Sequence, residues 1–534
     1  KLYGLPFLLG LFGLFFQLNR RKKDFLINLL LFVFTGLAIV FYLNQSGPQP
    51  RERDYAFVGS FYAFAVWIGL GVLSVYNFFK KRASGKLSAI VASLLCLLLV
   101  PVLMGFQEWD DHDRSQKTLA RDVASDYLKS CKPNGILFTE GDNDTYPLWY
   151  AQEVEGVRTD IRIVNMSLLG VDWYIDDLRY KINKAAPVPM SWSPDKYAGD
   201  TRNYIPYVPP QTAAPKDQYY NLNELMQFMG SDNPDYKVSN GPQQFNYYPT
   251  QNMYIPVNKQ QAIREKLVPD ADTAHIASEV TFDMPKKVLY KNDLILLNII
   301  AADNWKRPIY FTSPVTATRM GLGDYLETDG LTYRLVPFSS KQNSNSILSA
   351  GNVNVDFMYN NLMTKFKFGG AQTAGTYFDE PNRRMLLGIR NSYAKLGMAL
   401  ALEGKKDSAI QALNLCDSNM LQVNFPYALT SPGNMHNVNS LQTAYAYYLA
   451  GDSTKGDEIA DELIADCQQQ MAYYNALPPA KFGPTLQQDA QTANMIISQL
   501  QQWMRQYGKQ AGRSNDLPVN MDSLPVQKDS GAGK

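Results

Sequence analysis

The sequence predicts a multi-domain chain of three parts: a bundle of four transmembrane α-helices over 1–106, a Rossmann-like α/β domain outside the membrane over 107–345, and a TPR-like α-helical repeat region over 382–510. Three observations carry this. Four long apolar runs crowd into the first 106 residues and nothing similar recurs later. Strand, helix and strand patterns follow one another from residue 135 within about 35 residues, the size of a parallel crossover. From Asn382 onward, small and aromatic residues fall at helical-repeat spacing.

The apolar runs are 2–18, 25–43, 61–79 and 87–106, each free of charged side chains and close to the ~20 residues that cross a hydrocarbon core. Arg20, Arg21, Lys22 and Lys23 separate the first two, and Lys80, Lys81, Arg82 and Lys86 the last two, so the positive-inside rule puts both connectors in the cytoplasm. The middle connector, 44–60, and everything after Phe106 then lie on the opposite face. In a bacterial inner membrane that face is the periplasm.

Charge follows the same division. Residues 1–106 hold 11 of the 51 Lys and Arg but 3 of the 50 Asp and Glu, which leaves 40 basic against 47 acidic residues for the remainder. A body of net charge −7 has no basic face for displacing counterions from phosphates, so nucleic acid is not an expected partner. The four cysteines, Cys96, Cys131, Cys416 and Cys467, show neither zinc spacing nor a disulfide framework, although a Cys416–Cys467 bridge is conceivable. The three histidines, His112, His275 and His436, are too scattered for a local metal or nucleophile motif. Because the chain opens on Lys1 and enters an apolar helix at once, it is expected to be the C-terminal portion of something longer.

Within 107–345, a polar helical stalk (109–129) precedes a strand at 135–139, a helix over 144–155 and a strand at 161–169. Further strands are expected at 253–256, 308–312 and 332–336, with a helix over 291–302. The segments 185–221 and 230–248 are rich in Pro, Tyr, Ser and Asp and read as long loops. Residues 346–381 form a linker. Tyr393, Leu396, Gly397, Leu400, Gly404, Ala409, Leu413 and Cys416 then match a tetratricopeptide repeat, with a weaker copy in Ala444, Tyr447, Gly451, Gly456, Ala460 and Leu463 and a further helix near 487–507. Such an array either docks a protein partner or buttresses the α/β domain; fewer than three clear copies favour the buttress. The polar stretch 511–534 reads as a disordered tail.

Two segments could carry chemistry. In the connector Gln49-Pro50-Arg51-Glu52-Arg53-Asp54-Tyr55, at the height of lipid phosphates, Arg51 and Arg53 have the planar forks that suit phosphate oxygens, and Asp54 could orient them. The alternative is a charged clamp between the membrane helices and the next domain. The second segment, Glu140-Gly141-Asp142-Asn143-Asp144-Thr145, directly follows the first strand of the α/β domain, where parallel sheets gather ligands. Glu140, Asp142, Asn143 and Asp144 could bind a divalent cation or sugar hydroxyls. Alternatively, Asp142 and Asn143 form a turn and Asp144 caps the next helix. Tyr146 occupies the position where an EF-hand needs a ligand, and an Asp-x-Asp reading is opposed by topology, since nucleotide sugars are cytosolic. Trp149, Tyr150, Trp173, Tyr174 and Trp305 lie nearby, as core or as stacking surfaces for sugar rings.

Residues 49–55, Gly141-Asp142-Asn143-Asp144-Thr145 with Pro147-Leu148-Trp149-Tyr150, Gly156-Val157-Arg158-Thr159-Asp160, Asn304-Trp305-Lys306-Arg307-Pro308-Ile309-Tyr310 and Gly330-Leu331-Thr332-Tyr333-Arg334 together resemble one group. It comprises large bacterial membrane proteins of unassigned function classed as protein O-mannosyltransferase-like, of the GT-C glycosyltransferase type. The resemblance spans about residues 1–340. It implies transfer of a sugar from a polyprenyl-phosphate donor to a periplasmic acceptor, with Arg51, Arg53 and Asp54 at the donor phosphate. The catalytic carboxylate of such enzymes sits in an early outer loop that this chain is expected to lack, so no catalytic residue carries over. The competing expectation is a non-enzymatic, membrane-anchored periplasmic scaffold that docks an envelope protein through its repeats.

Overall fold

The structure is a computed structural model and describes residues 2–45, 53–210, 218–240, 243–339, 352–478 and 481–509. The expected linker 346–381 is described from residue 352 and the expected tail 511–534 lies outside these ranges. The chain divides into two compact units, Lys1–Lys117 and Thr118–Lys534.

The first unit is helical: α1 (Leu5–Arg20), α2 (Lys22–Thr35) bending at Gly36 into α3 (Leu37–Leu43), α4 (Val58–Lys80), α5 (Gly85–Leu97) and α6 (Leu103–Gln107). A π-turn at Leu98–Val102 joins α5 to α6, because Pro101 offers no N–H to the helical ladder. Among the described residues three helices are long and apolar enough to cross a membrane: Lys22–Leu43, Asp54–Lys80 and Gly85–Gln107, of 22, 27 and 23 residues. The first of the four expected spans is not among them: it is the shorter apolar helix α1, of 16 residues. It nevertheless packs closely on α4. Any side chain at Gly13 would collide with the backbone of Trp67 and Gly71, and any at Gly71 with that of Leu9. Small residues at a crossing of this kind are how helices associate where lipid offers no hydrophobic drive. Two polar side chains inside the unit are paired across helices: Trp67 Nε1 donates to Gln17 Oε1 at 2.7 Å, and Asn28 Nδ2 to the Ala63 carbonyl at 3.1 Å.

The second unit is built on a five-stranded sheet of β1 (Ile136–Thr139), β2 (Arg162–Asn165), β3 (Ile309–Phe311), β4 (Leu326–Asp329) and β5 (Thr332–Leu335), in the order β4-β5-β3-β1-β2. β1 runs parallel to both β2 and β3, whereas β5 is antiparallel to β3 and β4. The sheet is therefore mixed rather than wholly parallel. Two residues, Gly330 and Leu331, separate β4 from β5, a connection that can only make a hairpin, and Gly330 has the positive φ (79°) it requires. The expected strand at 253–256 exists as Asn252–Pro256, but it belongs to a separate three-stranded sheet with Tyr220–Asn221 and Glu279–Asp283.

Helices cover both faces of the main sheet. Ile136, Phe138, Val164, Ile309 and Phe311 point into a large core with α10 (Lys291–Asp303), whose residues 294–297, 299 and 300 are almost wholly buried. Leu137, Ile163 and Tyr310 face the other way, against α7 (Leu119–Lys129) and α8 (Asp142–Glu153). This alternation is the period-two pattern of strands buried on both sides. The segments expected to be long loops contain short strands and turns instead, anchored in the same core by Trp192, Tyr197 and Tyr248.

After α12 (Val355–Thr364), five helices complete the unit: α13 (Glu380–Leu402), α14 (Lys406–Asn419), α15 (Met435–Ala450), α16 (Ser453–Ala476) and α17 (Pro484–Tyr507). Gly404 and Gly451 adopt positive φ (79° and 94°) at the tight connections after α13 and α15. At Gly397 an added Cβ would meet Leu413 at 2.9 Å, which is how close α13 lies to α14. Leu119, Val123 and Leu331 share one core with Tyr393 and Leu396, and Ser392 Oγ donates to the Gly330 carbonyl at 3.0 Å, so these helices are packed onto the sheet's hairpin. Cys416 and Cys467 are free, as are Cys96 and Cys131.

Candidate functional site

Strand order locates the site. From β1 the chain passes through α8 to β2 on one side, then returns through α10 to β3 on the other side of β1. The crevice at the carboxyl ends of β1 and β3 is thus a topological switch point, where open α/β sheets hold their ligands. Two loops meet there: Glu140–Asp144 after β1, and Thr312–Thr316 after β3, leading into α11 (Pro314–Arg319).

Asp144 ties the two loops together. Its carboxylate accepts from the backbone N–H of Glu140 (2.8 Å) and of Gly141 (2.9 Å), as an acid in the first turn of α8 can, and from Thr312 Oγ1 at 2.7 Å. Thr316 Oγ1 donates to Glu140 Oε1, and Ser167 Oγ donates to the Glu140 carbonyl at 2.8 Å. Below them, Thr145 Oγ1 bonds Thr139 Oγ1 at 2.6 Å and accepts from Asn165 Nδ2 at 2.8 Å, which links the ends of β1 and β2. Asp142 and Asn143 project into solvent at the start of α8. A cavity of about 170 Å³ opens beside Asn143 and Asp144, walled by Tyr127, Leu148, Leu331 and Met385. Among the described residues no group of three His, Cys, Asp or Glu side chains is arranged to hold a metal ion.

Of the residues singled out by sequence, Glu140 and Asp144 converge on this crevice, while Asp142 and Asn143 lie at its rim. Arg53 and Asp54 are exposed at the entry to α4, in the first unit. Arg51 lies outside the described residues. Sequence reasoning missed Thr312, Thr316 and Asn165, and gave Thr145 no role of its own. The signal that could have found them is position: Thr312 and Asn165 end or follow strands parallel to β1, where side chains reach the same crevice.

The most perturbed ionisable groups lie elsewhere and are structural. Arg334 is fully buried in β5, paired with Glu327 and with Asp329 (2.7 Å), and Tyr310 OH also donates to Asp329 at 2.9 Å. Burial pushes the Glu327 carboxyl up to about 7 against the pull of Arg334. Burial likewise raises Asp303 to about 6, although its Oδ2 accepts from the N–H groups of Lys306 (3.0 Å) and Arg307 (3.1 Å).

Residues 120–357 match the family profile of TMEM260-associated domain 2. That span begins in α7, ends in α12 and contains the whole sheet and its switch point. The chain is also similar to the protein O-mannosyl-transferase tmem260 of Dictyostelium discoideum, 23% identical over 221 residues, which is 39% of this chain and 24% of that protein. The match therefore spans about a quarter of the curated relative's length. No solved structure matches. Over this region the chain is thus similar to a protein O-mannosyl-transferase, and its apolar helices are of a length that suggests a membrane protein.

Proposed function

We propose that this protein serves glycosyl transfer at a membrane: a sugar, mannose by the relative's name, passes from a polyprenyl-phosphate donor to an acceptor hydroxyl on the non-cytoplasmic face. The observation that carries this reading is the family match over the α/β body of a chain that also bears membrane-length helices. In this scheme the acceptor oxygen attacks the anomeric carbon, the C–O bond to the donor phosphate breaks, and the hydroxyl proton passes to a carboxylate base. Arg51 and Arg53, with Asp54 orienting them, hold the donor phosphate at the lipid surface. The basic connectors 20–23 and 80–86 face the cytoplasm of a bacterial inner membrane and the Thr118–Lys534 unit faces the periplasm. The crevice of Glu140 and Asp144 engages acceptor hydroxyls. The helices from α13 onward form a TPR-like array that buttresses the sheet; the shared core and the Ser392–Gly330 bond favour this over a docking scaffold.

The test is transfer itself. Membranes carrying the protein, supplied with labelled polyprenyl-phosphate mannose, should label an endogenous acceptor above control membranes. The Arg51→Ala, Arg53→Ala double variant should weaken donor affinity about tenfold. Transfer no greater than in control membranes would overturn the reading, and unchanged donor affinity would remove the two arginines from it.

A further inference from the structure

A second and larger cavity, about 410 Å³, lies on the far side of α8, under the edge strand β2, between α8 and α9 (Asp172–Asp177). Its size falls within the ~300–1,000 Å³ of small-molecule sites. Trp149, Trp173, Arg162, Asp177, Glu153 and Asn183 are among its lining residues. Three features set it apart from a packing gap.

Arg162 is 5% exposed, yet only part of its guanidinium is satisfied. Nη2 donates to the Asp177 carbonyl at 2.8 Å, while Nη1 is buried without a hydrogen-bond partner. A buried N–H left unmade costs about 1–3 kcal/mol, so an acceptor brought against the Arg162 wall of the cavity would relieve it. The walls are aromatic as well. Trp149 stacks on Tyr146 with centroids 5.4 Å apart, and Trp173 keeps 59% of its surface exposed beside the opening, an unusual cost for the largest apolar side chain. Finally, the polar lining is of both kinds. Arg162 offers a donor, Asp177 offers a carboxylate, and Glu153 Oε1 already accepts from Asn183 Nδ2 at 2.8 Å. One cation against two carboxylates disfavours an anionic guest, whereas hydroxyl groups, donor and acceptor at once, satisfy both.

We infer that this cavity is a binding site for a neutral pyranose, its ring face laid on Trp173 and Trp149 and a hydroxyl or ring oxygen accepting from Arg162 Nη1. The site deepens the transferase reading by supplying a hold on a sugar already attached to the acceptor, apart from the switch-point crevice. Its binding chemistry stands without that reading.

The experiment uses the full chain in a detergent lacking a sugar head group, with tryptophan fluorescence and saturation-transfer NMR as readouts. The probes are methyl α-mannopyranoside, methyl α-glucopyranoside and glucuronate. At least one neutral pyranoside should bind with a tryptophan signal and more tightly than glucuronate. Trp173→Ala, a change at an exposed side chain, should weaken that binding about tenfold or more. Arg162→Met should do the same wherever its melting temperature confirms folding. No binding of either neutral pyranoside, equal binding by Trp173→Ala, or tighter binding of glucuronate would each overturn the proposal. Sugar binding without transfer would sink the transferase reading and leave this one; transfer without sugar binding would do the reverse.

Discussion

Replacing Asp144 measures how firmly its carboxylate ties the two loops of the crevice together. In Asp144→Ala the backbone N–H groups of Glu140 and Gly141 and the Thr312 hydroxyl lose their common acceptor. Each hydrogen bond is worth about 1 kcal/mol net, and more where the acceptor is charged. Both backbone groups are half-buried and regain some water, so the loss comes to about 3 kcal/mol rather than the sum of the charged values. For a large unit that lowers the melting temperature by about 3 °C. Asp144→Asn keeps one oxygen, which can serve Glu140 N–H and Thr312 while its amide faces Gly141 N–H, so about half the loss is expected. Asp142→Ala, at an exposed position in the same turn, should cost less than about 1 kcal/mol. The assay is thermal unfolding of the purified chain followed by intrinsic fluorescence. A carboxylate kept for function usually costs stability, and its removal leaves the fold as stable or more so. An Asp144→Ala melting temperature within about 1 °C of the parent would therefore refute the tie.

Three further outcomes are expected. Asp303 is held up near 6 by burial, so its charge destabilises the fold as pH rises from the ordinary aspartate range through 6; Asp303→Asn should melt higher than the parent at pH 7.5, and the difference should vanish below about pH 4. His436 is buried against Phe425, donates Nε2–H to the Pro426 carbonyl (2.8 Å) and faces Arg390 and Arg383 as well as Asp466; burial pulls it down to about 4. Its contribution is complete above pH 6.5 and is lost as pH falls toward 4, by at most about 3 kcal/mol, so His436→Gln should flatten the acid side of a melting-temperature profile. Gly71→Leu should force α1 from α4 and appear as faster proteolysis of the 1–117 unit in detergent, while Gly69→Leu, where a Cβ meets nothing within 4 Å, should not.

The membrane helices were legible because charge-free runs and basic connectors are written locally. The first run, 2–18, is already the shortest of the four in the sequence, and its helix, Leu5–Arg20, is of similar length. β1, β2, β3 and β5 were visible as apolar or β-branched stretches. β4 was not, since Leu-Glu-Thr-Asp reads as polar unless Arg334 is known to lie across the hairpin, taking up Glu327 and Asp329. The Glu140–Asp144 turn could be read as a cap or a ligand site, because its deciding partners, Thr312 and Thr316, come some 170 residues later. Arg162 gave no signal at all; an arginine in a strand is ordinary until its unmet N–H and the cavity beside it are seen together.

The proposed transfer requires the Thr118–Lys534 unit to face away from the cytoplasm. The four native cysteines are all buried, so single cysteines introduced elsewhere can be labelled over a low background. In spheroplasts treated with a membrane-impermeant maleimide, Asp142→Cys should label without permeabilisation and Lys81→Cys only after it. Labelling of Lys81→Cys alone before permeabilisation would place the body in the cytoplasm and contradict the account.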